Sequence, residues 1–202
     1  MFHLIALFLF AIIFFFIYYF ISTAFEEVGF RWWEASMIVF SSIIFGTVNI
    51  PLLYYKNWSI GINVGGALLP IIISIYLTLS RKVAGRSIIG ILIVAYVAYN
   101  VTTVSNNGIV SPFPYWLLPP MAASLYSLLV GYKSKKKAAS IAYISGTLGV
   151  LLGADLLHLN ELISRDVPRY TMASIGGAAI LDMVFLTGII AILIDGILYG
   201  KD

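Results

Sequence analysis

Long apolar runs separated by short polar clusters are the dominant pattern along this chain. A helix that crosses a bilayer needs about 20 mostly apolar residues. The runs predict such helices near 3–24, 35–55, 62–80, 87–105, 117–132, 138–160 and 172–198. The implied fold class is all-α, a polytopic transmembrane bundle of about seven spans. Little chain is left for a soluble domain, and no repeat points to duplicated halves. Residues 1–34 are expected to form an N-terminal membrane helix with an interfacial segment, and residues 35–202 the helical membrane domain.

The first run opens on Met1-Phe2-His3-Leu4 and stays apolar through Phe20. A secretory signal opens on positive charge and has an apolar core of about 7–15 residues. The run therefore reads as a retained helix, although Ser22-Thr23-Ala24 has the small residues of a cleavage site. Residues 26–34 bring three acids together with Trp32 and Trp33, which suits a stretch lying at headgroup level.

Composition supports this picture. Of 202 residues, 61% are hydrophobic and 10% charged, and the mean hydropathy is +1.00. Soluble chains average about 45–50% apolar and 25% charged, and a small globule exposes too much surface to hide the excess. With no cysteine, disulfides, thiolate nucleophiles and cysteine-held metals are excluded. A net charge of +3 with no basic stripe gives nucleic-acid binding no support.

Lysine and arginine set the expected orientation. Nine of them (Arg31, Arg81, Lys82, Arg86, Lys133, Lys135, Lys136, Lys137 and Lys201) fall in one set of alternate loops, and Lys56, Arg165 and Arg169 in the other. The first set belongs in the cytoplasm, which places the N-terminus outside and the C-terminus inside a multi-pass cell-membrane protein. Lys133 and its neighbours to Lys137 read as a topology determinant and a contact for anionic lipid. The sequons at Asn57 and Asn100 then lie on the outer side, where glycosylation is open to them.

Asp155 and Asp182 are the informative residues. A carboxylate inside a membrane helix costs about 2.5–3.5 kcal/mol, so such residues face the protein interior and mark function by default. Asp155 lies near the outer end of the sixth predicted span; Asp182 lies about ten residues into the seventh, roughly 15 Å deep at 1.5 Å per residue. The seventh run is longer than a bilayer requires, so its start projects outward and brings the acids toward one level. The short connection makes the two helices antiparallel neighbours. Helical spacing places Leu148, Leu151, Leu152, Leu159 and His158 on the side of Asp155, and Ala178 and Ala179 below Asp182. Gly146, Gly149 and Gly153 form a stripe that admits a close neighbour, and Gly176 and Gly177 flank Asp182.

Two close carboxylates do not readily both ionise, so one shared proton is their natural state. Such a pair equips a protein for aspartyl hydrolysis of a membrane-embedded peptide, one group as general base and the other as acid. It serves equally to carry a proton, cation or small solute, or to clasp two helices in an accessory subunit. Asp155 and Asp182 are thus the candidate catalytic pair, with Asn63, Gly153, His158, Gly176 and Gly177 as candidate binding residues.

Asp155, His158 and Glu161 stand at i, i+3 and i+6, a spacing open to a divalent metal, but Glu161 falls in a loop. No metal and no cofactor is assigned. Asp195, near the inner helix end, reads as interfacial. Asn49-Ile50-Pro51, residues 62–70 and Pro119-Pro120 interrupt predicted helices, and broken helices recur around transporter sites. The Asn63 amide is placed to reach a carboxylate across the bundle. Residues 106–116 carry no charge and read as a turn-rich loop at the outer mouth, with a lid as the sharper alternative. Besides lipid, a second copy of the chain is left open as a partner.

Three segments carry a resemblance: INVGGALLP at 62–70, GTLGVLLGADLLHL at 146–159 and SIGGAAILDMVFLTG at 174–188. Together they resemble a prokaryotic membrane family known as domain of unknown function 1614, over roughly residues 50–198. The resemblance implies family membership and a helical membrane fold, without an activity. Leu181 and Met183 stand where an aromatic and a glycine are expected beside Asp182, and His158 where asparagine is usual. In arrangement the pair is also distantly similar to the intramembrane aspartyl proteases, which set one Asp on each of two helices. Their Gly-x-Gly-Asp element corresponds here to Leu152-Gly153-Ala154-Asp155, without the second glycine.

Overall fold

The computed structural model describes residues 2–105, 108–167 and 169–199, so Met1, Asn106, Asn107 and Lys201 of the expectations above lie outside it. Its helices are α1 (Phe2–Val28), α2 (Trp32–Phe45), α3 (Leu69–Arg81), α4 (Ala84–Val101), α5 (Leu118–Gly131), α6 (Lys135–Val150), α7 (Leu159–Ser164) and α8 (Met183–Leu198). A π-helical turn, Val64–Leu68, leads into α3, and a second, Leu151–Leu156, joins α6 to α7. Among the described residues, four helical stretches are long and apolar enough to cross a membrane: His3–Val28, Val64–Arg81, Ala84–Val101 and Lys135–Ser164. Shorter apolar helices are Trp32–Phe45 and Met183–Leu198.

The protein is mostly helical, but the all-α expectation needs correction. Strands β1 (Asn49–Tyr55), β2 (Trp58–Asn63) and β5 (Thr171–Ile175) form a sheet in the order β1-β2-β5, and β3 (Thr103–Ser105) pairs with β4 (Gly108–Val110). These strands take up the second half of the span expected at 35–55, the starts of those at 62–80 and 172–198, and the end of that at 87–105. Local chemistry explains the breaks. Pro51 lacks the N–H that a helix needs, and it sits in edge strand β1, where that loss is tolerated. Gly176 takes φ +72°, a left-handed turn that halts any helix running from β5 toward α8. Pro119 and Pro120, expected to interrupt a helix, instead lie in the first turn of α5, where no N–H is missed, and Pro70 stands where the π-helical turn passes into α3.

Helix α6 is the axis of the bundle. Every residue from Ala138 through Thr147 is buried, with α3, α4, α5 and α8 packed around it. Its alanines, serines and glycines let those neighbours approach closely. The expected glycine stripe divides between two partners: a Cβ at Gly146 would meet Thr187 of α8, whereas Cβ atoms at Gly149 and Gly153 would meet Val94 and the Ala95 backbone of α4. At the outer rim of α1, by contrast, Phe8 and Phe10 are each 67% exposed. A helix apolar on all sides and uncovered by protein belongs in lipid.

The two ends differ. At one end Arg81 donates to the Val28 carbonyl at 2.9 Å, Arg86 donates to the Val130 carbonyl at 3.0 Å, and Lys135 pairs with Glu27 at 3.0 Å. At the other sits the sheet, whose β1 exposes Leu52, Leu53, Tyr54 and Tyr55. Buried Trp58 donates to the Arg165 carbonyl at 2.8 Å, and Asn57 to the Val167 carbonyl at 2.9 Å, tying the connection before β5 to the sheet. The Asn100 amide donates to the Tyr96 carbonyl at 2.7 Å, so both sequon asparagines are engaged with backbone.

Candidate active site

Asp155 sits in the π-helical stretch. Its signature is the Leu157 N–H donating to the Leu152 carbonyl at 3.0 Å, five residues back. The wider turn shifts the register, so Val150 and Ala154 border the larger of the two cavities at this site with Asp155, and of the expected leucine face Leu159 borders the second. Gly153 makes the turn possible, because a Cβ there would collide with the Ala95 carbonyl group. Turns of this kind collect at functional sites. Asp155 accepts no hydrogen bond from any described residue.

Asp182 does not lie ten residues into a helix, as the length of the run suggests. It is the N-cap of α8, its Oδ1 accepting from the Val184 N–H at 2.9 Å and its Oδ2 from the Ala178 N–H at 3.3 Å. Burial raises the Asp182 carboxyl above its ordinary value, and the two N–H groups oppose that. Ala178 and Ala179, expected on the helix below it, belong to the turn before it, with Ala179 at φ +55°.

The two acids nevertheless meet one space. A cavity of about 300 Å³ is lined by Asp155 and Asp182, by Thr102, Ser111 and Thr187 as the other hydroxyl groups, and by Trp116. A second, of about 200 Å³, adjoins it and shares both acids, Ile109 and Ala178. The described part of the uncharged loop, with Val110, Ser111 and Trp116, borders this cleft. Val110 and Leu181 make its rim exposed and apolar.

Other predicted residues have different employments. Asn63 does not reach a carboxylate. It is fully buried, donates to the Gly46 carbonyl at 2.8 Å and to Asn49 Oδ1 at 3.0 Å, and accepts from the Gly66 N–H at 2.8 Å. Asn49 Oδ1 also accepts from Ser174 Oγ at 2.6 Å, so one amide pair pins all three strands. Replacing Asn63 by Leu strands these groups, and a loss of about 1–3 kcal/mol is expected in thermal unfolding. Gly176 shapes the cap: a Cβ there would meet Gly66 and Ala67 at 2.6 Å. Gly177 alone of the glycine pair borders the second cavity.

His158 also turns away from the cleft. It stacks on Tyr99 with ring centroids 4.5 Å apart, meets the Tyr99 carbonyl at 3.2 Å and stands 3.5 Å from Glu161. The metal-like spacing of Asp155, His158 and Glu161 therefore points in two directions. Among the described residues no group of three such side chains is placed to hold a metal.

Asp195 corrects a further expectation. Instead of reaching water it is 2% exposed and accepts from Ser124 Oγ at 2.5 Å and Ser127 Oγ at 2.6 Å. The i, i+3 serine pair on α5 was the available signal. Thirteen residues of helix separate Asp195 from Asp182, roughly 20 Å. Replacing Asp195 by Ala is expected to cost about 1–3 kcal/mol of stability and to leave any turnover in the cleft unchanged per folded molecule. Thr102, Trp116 and Thr187 gave no signal in the sequence, because a hydroxyl or an indole amid apolar residues is unremarkable there.

A helical membrane protein with a carboxylate-lined cleft under a small sheet is thus the class that fold and site define. The model of the family described as protein of unknown function DUF1614 matches residues 32–194, and the chain belongs to that family. No curated protein and no solved structure matches it.

Proposed function

We propose that this protein is a multi-pass hydrolase of the cell membrane that cleaves membrane-embedded peptides with Asp155 and Asp182. The observation that carries the reading is the shared cleft, in which two carboxylates from separate elements border the same space. Their unequal surroundings divide the labour. Asp182, with two N–H donors at a helix N-terminus, is the ionised partner. Asp155, without donors, is the protonated partner. Asp182 takes a proton from water, the water oxygen bonds to the amide carbon, and Asp155 gives its proton to the carbonyl oxygen. Collapse of the resulting diol breaks the C–N bond. The nitrogen leaves with the proton from Asp182, and one hydroxyl proton returns to Asp155, so acid, amine and both carboxyl groups are restored.

A transport reading uses the same acids, but the packing beneath them favours chemistry. Phe25, Tyr143, Phe185 and Ile192 are buried and interlocked between the cleft and Asp195, with Tyr143 and Phe185 each against the Phe25 ring. A purely structural clasp does not account for the open space. The basic end supports a cytoplasmic C-terminus and a cleft that opens outward. The test is a panel of single-span helical peptides in liposomes: cleavage by the native chain supports the reading. Flux of protons across a pH gradient without cleavage would replace it by transport.

A further inference from the structure

Hydrolysis needs an exposed amide, but the backbone of a membrane helix is closed upon itself. An opened segment must find new hydrogen-bond partners at membrane depth. Strand β5 offers them. It is an edge strand, paired in parallel with β2 alone, from Trp58↔Thr171 to Ile62↔Ile175. The Thr171 N–H donates to the Asn57 carbonyl at 2.8 Å. Alternation then turns the backbone groups of Thr171, Ala173 and Ile175 toward β2 and those of Met172 and Ser174 away from it. The Ser174 carbonyl is taken by Gly177 N–H at 3.0 Å, which leaves the Met172 N–H and C=O and the Ser174 N–H without a strand partner among the described residues.

Residues 172–175 of this edge strand border the cavity of about 200 Å³ together with Ile60 of β2, Leu159, Leu162, and Gly108 and Ile109 of β4, and the same cavity reaches Asp155 and Asp182. Small residues Gly177 and Ala178 leave room for a backbone at that end. No lysine or arginine borders either cavity among the described residues, and exposed Met172, Val110 and Leu181 mark the way in. We propose that an apolar single-span peptide unwinds into this slot and adds to β5 as a further strand, which carries its amide to the carboxylates. This rests on the hydrolase reading for what happens next, but the docking itself needs no catalysis.

The test uses full-length protein with Asp155→Asn in nanodiscs and a synthetic single-span peptide of about 20 apolar residues with a central glycine pair. Backbone N-methyl groups are placed at successive positions of the peptide. Methylation at alternate residues is expected to weaken binding about tenfold, while the residues between tolerate it. A carbonyl label at the centre of the peptide should move on binding from the helical to the extended infrared band. No binding, loss without alternation, or a label that stays helical overturns the proposal, even if the native chain cleaves the unmodified peptide. Extended binding with alternation but no cleavage by the native chain upholds the docking and removes the hydrolase reading.

Discussion

Changing Asp155 or Asp182 to Asn is expected to lower peptide cleavage by about 10²–10⁴-fold, the span associated with a general acid or base. The structure separates this loss from damage to the fold. Asp182 caps α8, and asparagine is as good an N-cap as aspartate, so Asp182→Asn keeps the bond from the Val184 N–H and loses only the longer one from the Ala178 N–H, for about 1 kcal/mol. Asp182→Ala loses the cap as well, for about 1 kcal/mol. Asp155 holds no hydrogen bond among the described residues, so Asp155→Asn removes a proton donor and little else. Peptide cleavage and thermal unfolding, measured on the same preparations, check the pattern. Native-like cleavage by both asparagine variants would end the catalytic role, whereas loss of folding in both would make the pair a structural element.

A large effect on stability is expected at Gly66. A Cβ there would collide with the Gly176 carbonyl oxygen and stand 2.8 Å from Ala179 Cα and O. Those are backbone atoms, fixed by the turn that precedes Asp182, and they cannot swing aside as a side-chain tip would. Gly66→Ala should therefore cost about 1–3 kcal/mol or more and should displace Asp182 through the residues from 176 to 182. Gly85, near the start of α4, has nothing within 4 Å of the position its Cβ would take. Gly85→Ala should be neutral or stabilising by up to about 1 kcal/mol. Unfolding temperatures in detergent check the contrast. Equal behaviour of the two variants would contradict the close contact of the two glycine segments.

That contact explains how far the sequence could be read. Apolar runs dictate burial in lipid whatever the partners, so the membrane helices are legible from length and composition. The strands are not, because β1, β2 and β5 carry no charge and lie within or beside apolar runs, where strand and helix differ mainly in turn chemistry. Gly176 and the Asn63 cap carry that difference. Pro119 and Pro120 mislead for the opposite reason: a proline reads as a break but serves as a start. Asp155 and Asp182 stand out because charge is costly in such surroundings, and they border one cleft with α7 and β5 lying between them in the chain. The π turn at Leu151–Leu156 has no signature in an apolar run, so the faces drawn from ordinary helical spacing came out wrong for His158. Distance from the helix end reads Asp195 as interfacial, and no such count registers two serines on another helix.

The central claim is that Asp155 and Asp182 border one cleft. The chain contains no cysteine, so the double change Asp155→Cys with Asp182→Cys introduces a single thiol pair into an otherwise silent background. In native membranes the shortest bifunctional methanethiosulfonate reagents are predicted to bridge the two positions. They should leave unbridged the control pair Asp182→Cys with Asp195→Cys, set roughly 20 Å apart along α8. Separate labelling of the two thiols without any bridge, or bridging only by reagents long enough to join the control pair, would contradict the shared cleft.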